Sequence, residues 1–175
     1  MLTIPPGYRY RQAFALLAIL SMFVWAIGAH AAGCTISSTG LAFGPYQPIS
    51  FAGQLTSTDI TSNASVALVC TGIVSGGSYN ISLGPSIVGT GDRISTRYLA
   101  NNSNGGDHMA FNIYTSGTYA SVWGNGSVGS LIGGTINPGD SNQSTPVYGK
   151  IPAGQSTLKA GSFTGSMTMT VTYNP

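Results

Sequence analysis

Apolar and polar positions alternate with a period of two through much of this chain, most strictly near its end. Over residues 162–173, Phe163, Met167, Met169, Val171 and Tyr173 alternate with Ser162, Thr164, Ser166, Thr168, Thr170 and Thr172. This period places the apolar side chains on one face and the hydroxyls on the other, predicting one long half-buried β-strand. Shorter runs predict extended segments at 34–37, 41–43, 66–70, 79–83, 97–100, 109–114, 121–123 and 145–151. Turns fall at Gly44-Pro45, at residues 101–106 and at Pro152-Ala153-Gly154, while residues 124–142, rich in Gly, Ser and Asn, read as a long loop or ragged edge. No stretch after residue 31 sustains a 3.6-residue period. Short strands with turn signals at this spacing predict an all-β antiparallel sandwich. There is no internal repeat and no sign of a second folded domain.

The final strand is followed only by Asn174 and Pro175, so no later segment is expected to pair with its far edge. An open strand edge is usually covered or charged, because it templates association with other chains. This one is neither, and its edge is therefore read as functional.

Composition supports the fold class. Of 175 residues 25 are Gly, only 6% are charged and 42% are apolar. Disorder would need few apolar residues as well as a polar surface. The first 31 residues stand apart. Arg9 and Arg11 precede an apolar run over 13–29, and Ala29-His30-Ala31 supplies a small-x-small cleavage site. That order is a secretory signal peptide cut after Ala31, leaving residues 32–175 as one domain. A retained anchor would sit at the short limit for spanning a bilayer. Acylation at Cys34 would lack the usual Leu at Ala31 and leave Cys70 unpaired. Once the signal is removed, Arg93, Arg97, Lys150 and Lys159 balance Asp59, Asp92, Asp107 and Asp140. A neutral domain without a clustered basic face does not fit nucleic acid. Cys34 and Cys70, the only cysteines, form an even pair in an exported chain and predict one disulfide.

Motifs for chemistry are weak. Gly124-Asn125-Gly126-Ser127-Val128-Gly129 matches a dinucleotide fingerprint by letters, but a poor helix former follows, and Lys150 stands near the place of the required acid. Asp107-His108 is the only acid–histidine neighbour pair, and His108, the one histidine left after signal removal, lacks the further His or spare Cys a metal site would need. Five Asn-x-Ser sequons begin at Asn63, Asn80, Asn101, Asn125 and Asn142, as expected by chance in a chain this rich in Asn and Ser. Trp123 and the tyrosines suggest a sugar-stacking platform, although aromatics in a sandwich more often fill its core. No catalytic residue, cofactor site or metal site is expected.

Six blocks in order resemble the spore coat protein U domain, which occurs in subunits of archaic chaperone–usher pili. They are Tyr79-Asn-Ile-Ser-Leu83, Arg97-Tyr-Leu-Ala-Asn101, Met109-Ala-Phe-Asn-Ile-Tyr114, Val122-Trp-Gly-Asn-Gly126, Val147-Tyr-Gly-Lys-Ile-Pro-Ala-Gly-Gln155 and Ala160-Gly-Ser-Phe163, followed by the alternating strand to Tyr173. The resemblance implies an incomplete immunoglobulin-like sandwich lacking its last strand. It implies a non-enzymatic subunit, exported through the periplasm to a fimbrium, the cell surface or the medium. Its groove would be filled first by a periplasmic chaperone and then, at an outer-membrane usher, by an extension of another pilin subunit. On this expectation Ile36, Phe163, Met167, Met169, Val171 and Tyr173 line the donor-strand groove. One departure stands out: cleavage after Ala31 leaves only Ala32 and Gly33 ahead of Cys34, too little for a donating extension. A terminal position in the fibre, as tip or cap, is expected. The competing readings are a secreted carbohydrate-binding module using Trp123 and residues 124–142, and a small periplasmic hydrolase.

Overall fold

Alternation of inward and outward side chains gives nine antiparallel strands among the described residues of a computed structural model. It describes residues 33–52 and 56–175, and the expected signal peptide lies outside them. The strands are β1 (Gly33–Ser38), β2 (Ile60–Ile73), β3 (Gly77–Leu83), β4 (Arg97–Asn101), β5 (His108–Tyr114), β6 (Ile132–Ile136), β7 (Gly139–Ile151), β8 (Phe163–Thr164) and β9 (Met169–Asn174). They form a six-stranded sheet in the order β1-β2-β7-β5-β4-β8 and a three-stranded sheet in the order β6-β3-β9. Ladders within both sheets are antiparallel, as the sequence predicts.

One core lies between the sheets. Val66, Leu68 and Cys70 of β2, Met109, Phe111 and Ile113 of β5, and Val147 and Ile151 of β7 face Tyr79, Ile81 and Leu83 of β3 and Ile132 and Ile136 of β6. Cys34 and Cys70 are directly opposed in the β1–β2 ladder and form the expected disulfide.

Four sequence expectations need correction. Residues 162–173 are not one strand. β8 pairs with β4 in the larger sheet, β9 pairs with β3 in the smaller, and residues 165–168 cross between them. The crossing begins at Gly165, where an added Cβ would stand 3.0 Å from Leu99 Cδ2, so the backbone runs tight against β4. The alternation survives the crossing, with Phe163, Met167, Met169, Val171 and Tyr173 all half-buried between exposed neighbours.

Residues 124–142, read as a long loop or ragged edge, contain β6, an edge strand of the smaller sheet, and the start of β7. Gly133 and Gly134 pair with Asn80 and Tyr79 of β3, where an added Cβ would fall 2.7 Å from Asn80 Oδ1 and 2.9 Å from the Tyr79 ring. Residues 41–43, expected to be extended, belong to no strand. Residues 121–123 make only isolated bridges, Tyr114 with Val122 and Trp123 with Ser130.

Candidate functional site

The larger sheet has six strands and the smaller only three, so part of the inner face of the larger sheet has no layer above it. That face is the floor of an open cleft of about 980 Å³. Phe111, Ile113, Val147, Ile151, Leu99 and Trp123 form much of the floor. One bank is the chain that leaves β1, residues 40–49, and the other is residues 158–167 leading into Met169 of β9. Lys159 is the single charged residue among the described residues that line it. Such a surface offers dispersion and apolar burial, and it has no cluster of groups suited to acid–base work.

The strand edges beside this cleft are open. Among the described residues β1 pairs only with β2, and β9 pairs only with β3, so each has an outer edge without a ladder. Main-chain groups along such an edge need hydrogen-bond partners. The cleft is not uniform, however. Cα atoms of β1 and β9 approach within 8 Å without pairing, whereas two strands flanking a third lie about 9.5 Å apart. The sandwich is therefore pinched where these two strands meet and open beyond Ser38 and Met169.

This divides the six expected groove residues. Phe163, Met167 and Met169 line the open cleft. Ile36, Val171 and Tyr173 are packed, half-buried, against the core outside it, and Tyr173 donates its hydroxyl to Ser75 O at 2.8 Å. The sequence missed the contribution of residues 40–49, in which Phe43 meets Phe111 edge-to-face with ring centroids 6.0 Å apart.

A second feature was also missed. Arg97, fully buried, is held entirely by oxygen acceptors. Its Nε donates to Gly84 O at 3.1 Å, Nη1 to Asn112 Oδ1 at 2.6 Å, and Nη2 to Leu83 O at 3.1 Å and Trp123 O at 2.8 Å. Burial pushes the guanidinium down to about 10, with the field of Asp92 opposing the shift. It remains charged at neutral pH. Asn112 Nδ2 donates in turn to Ile94 O and Ser95 O, so the two side chains tie the 84–96 connection to β5.

The remaining sequence candidates take structural places. Trp123 is buried and donates Nε1–H to Ile81 O at 3.0 Å, so it is part of the core and not a sugar platform. Asp107 accepts from Lys159 N–H at 2.9 Å and from Asn101 Nδ2, while His108 Nε2 lies 3.1 Å from Gly105 O; the two side chains are not bonded to each other. Residues 124–129 form a turn in which Asn125 Oδ1 accepts from the N–H groups of Ser127 and Val128. On the surface, Lys150 and Asp59 form an ion pair at 2.6 Å. The Lys150 hydrogen bond, with help from Ala153 N–H, holds the Asp59 carboxyl below its ordinary value.

Comparison with known proteins places the chain in a family. Residues 22–170 match the Spore Coat Protein U domain, and the chain belongs to that family. No curated protein matches it. Among solved structures, a chain of a chaperone–tip adhesin complex from work on CFA/I fimbriae biogenesis is similar, with a TM-score of 0.42 and 11% identity. The alignment covers 81% of this chain and 42% of that one, so this chain spans less than half of its length.

Proposed function

We propose that this protein is a structural subunit of a surface fibre or coat, completed by a β-strand taken from a partner. The observation that carries this reading is the open apolar cleft between residues 40–49 and 158–167, which reaches the unpaired edges of β1 and β9 at Ser38 and Met169. An extended peptide satisfies both demands at once. Its main chain supplies the missing ladders, and its alternate side chains fill the floor. Membership of the Spore Coat Protein U family supports the pilus-subunit class of partner: a periplasmic chaperone first, then another subunit delivered at an outer-membrane usher.

The test is to supply the strand. A variant of the exported protein carries, after Pro175, an Asn-Gly turn and an alternating Thr-Val strand of about ten residues. The thermal midpoint is expected to rise by about 10 °C or more, with self-association suppressed. No gain sinks the reading.

The same proposal places the subunit at an end of its fibre. A signal peptide cut after Ala31 would leave only Ala32 and Gly33 before Cys34, so the subunit would accept a strand without donating one. N-terminal sequencing of the exported protein decides this. A start at Ala32 fits a terminal subunit, and a start well upstream makes it an ordinary shaft subunit.

A further inference from the structure

The bank formed by residues 40–49 contains a segment with unusual anchoring. Residues 41–46 follow β1, yet among the described residues their only main-chain hydrogen bond is the 2.8 Å bond that Ser62 Oγ donates to Ala42 O. Gly40 and Gly44 flank Leu41, Ala42 and Phe43, with φ of +75° and +72°. Side chains other than glycine rarely adopt this left-handed region, so the two residues serve as swivels in the backbone. The segment is therefore held by its side chains.

Those side chains occupy a particular notch. The inward row of β7 reads Val147, Gly149, Ile151, with a gap where Gly149 has no side chain. A Cβ placed there would lie 2.6 Å from Phe43 Cζ and 2.8 Å from Leu41 Cδ1. Phe43 and Leu41 thus sit in the gap, between the floor residues Val147 and Ile151 and at the side of the cleft, with Phe43 also against Phe111. A strand entering the cleft directs alternate apolar side chains at this same floor. A strand lying deep in the cleft would meet Leu41 and Phe43 at its side.

We infer that Leu41 and Phe43 are an internal plug, which covers the floor of the empty subunit and swings out about Gly40 and Gly44 when a partner strand enters. This rests on the strand-acceptor reading above. The plug reduces the apolar surface an unfilled subunit exposes, and its lack of a ladder leaves it free to move. Only side-chain contacts and the one bond from Ser62 must be given up.

The experiment uses the exported protein with and without the strand appended after Pro175. A Phe43→Cys substitution gives a single thiol, because Cys34 and Cys70 are joined. The plug predicts that maleimide labelling of this thiol becomes roughly tenfold or more faster once the strand is present, as a side chain leaves its packed site. A second variant guards against altered packing. Phe43→Ala should lower the thermal midpoint of the empty protein by about 5 °C or more, and that of the strand-filled protein by less than about 2 °C. If the strand stabilises the protein but labelling is unchanged or slower, Phe43 is a fixed wall and the plug is overturned alone. If the Phe43→Ala cost persists in the filled form, the result is the same. If the strand fails to stabilise the protein at all, the acceptor reading falls and the plug falls with it.

Discussion

Arg97 and the cleft lie a few residues apart in the same sandwich and meet opposite fates. Around Arg97 every donor finds an acceptor within the chain, from the carbonyls of Leu83, Gly84, Ile94 and Trp123 to the amide of Asn112. Among the described residues no buried side-chain N or O atom lacks a partner. Around the cleft, apolar side chains and two strand edges lack a covering layer. The chain answers its buried polar demands internally and leaves its apolar floor open at one place. An unpaired buried charge is too costly to leave to a partner that is sometimes absent. A missing strand leaves main-chain groups that water can serve meanwhile, so that deficit can wait for assembly. Trp123 joins the two regions: its carbonyl accepts from Arg97 while its ring forms part of the cleft floor.

The strongest way to break this contrast is to remove Arg97. Arg97→Leu leaves the carbonyls of Leu83, Gly84 and Trp123 and the Asn112 amide oxygen facing an apolar side chain. The expected cost is about 3–5 kcal/mol in urea unfolding, from several unsatisfied buried acceptors. Arg97→Lys should recover little, because an ammonium lacks the planar fork that reaches several acceptors at once. The cost should be equal with and without a strand appended after Pro175. A cost that shrinks on filling the cleft would mean that the polar knot and the open site are one system.

The two regions also differ in how far the sequence reveals them. Alternation places Phe163, Met167 and Met169 on an inward face, and they do line the cleft. The crossing between sheets at residues 165–168 leaves that alternation intact, so periodicity has no means of detecting it. In β4 the inward row is Arg97, Leu99 and Asn101, with Tyr98 and Ala100 only half-buried. By residue type Arg97 belongs outside, yet its period-two relation to Leu99 forces both onto one face, and that was the available signal. β6 is hidden by Gly133 and Gly134, whose bareness reflects the close approach of Asn80 and Tyr79 and not a loop. The position of residues 41–46 follows from the missing side chain at Gly149, a tertiary fact with no local signature. The pinching of β1 toward β9, which keeps Ile36, Val171 and Tyr173 out of the open cleft, is likewise a matter of sheet placement.

A smaller perturbation sharpens the comparison from the other side. The Cys34–Cys70 bond joins β1 to β2 at the start of the strand whose outer edge is open, across a sequence separation of 36. Replacing both cysteines with Ser should cost about 2–4 kcal/mol globally, chiefly by freeing the unfolded chain. That loss should be similar in the empty and strand-filled proteins, because they share the unfolded-state constraint. The local response should differ. Among the described residues β1 of the empty protein has only the β2 ladder, so without the disulfide those of its amides that bond to β2 should exchange much faster. With a strand on its outer side, β1 gains a second ladder and the same amides should stay protected. Hydrogen exchange on the two Ser variants reads this directly. Equal protection in both would mean that an incoming strand does not reach β1, and that β9 alone forms the ladder at the assembly site.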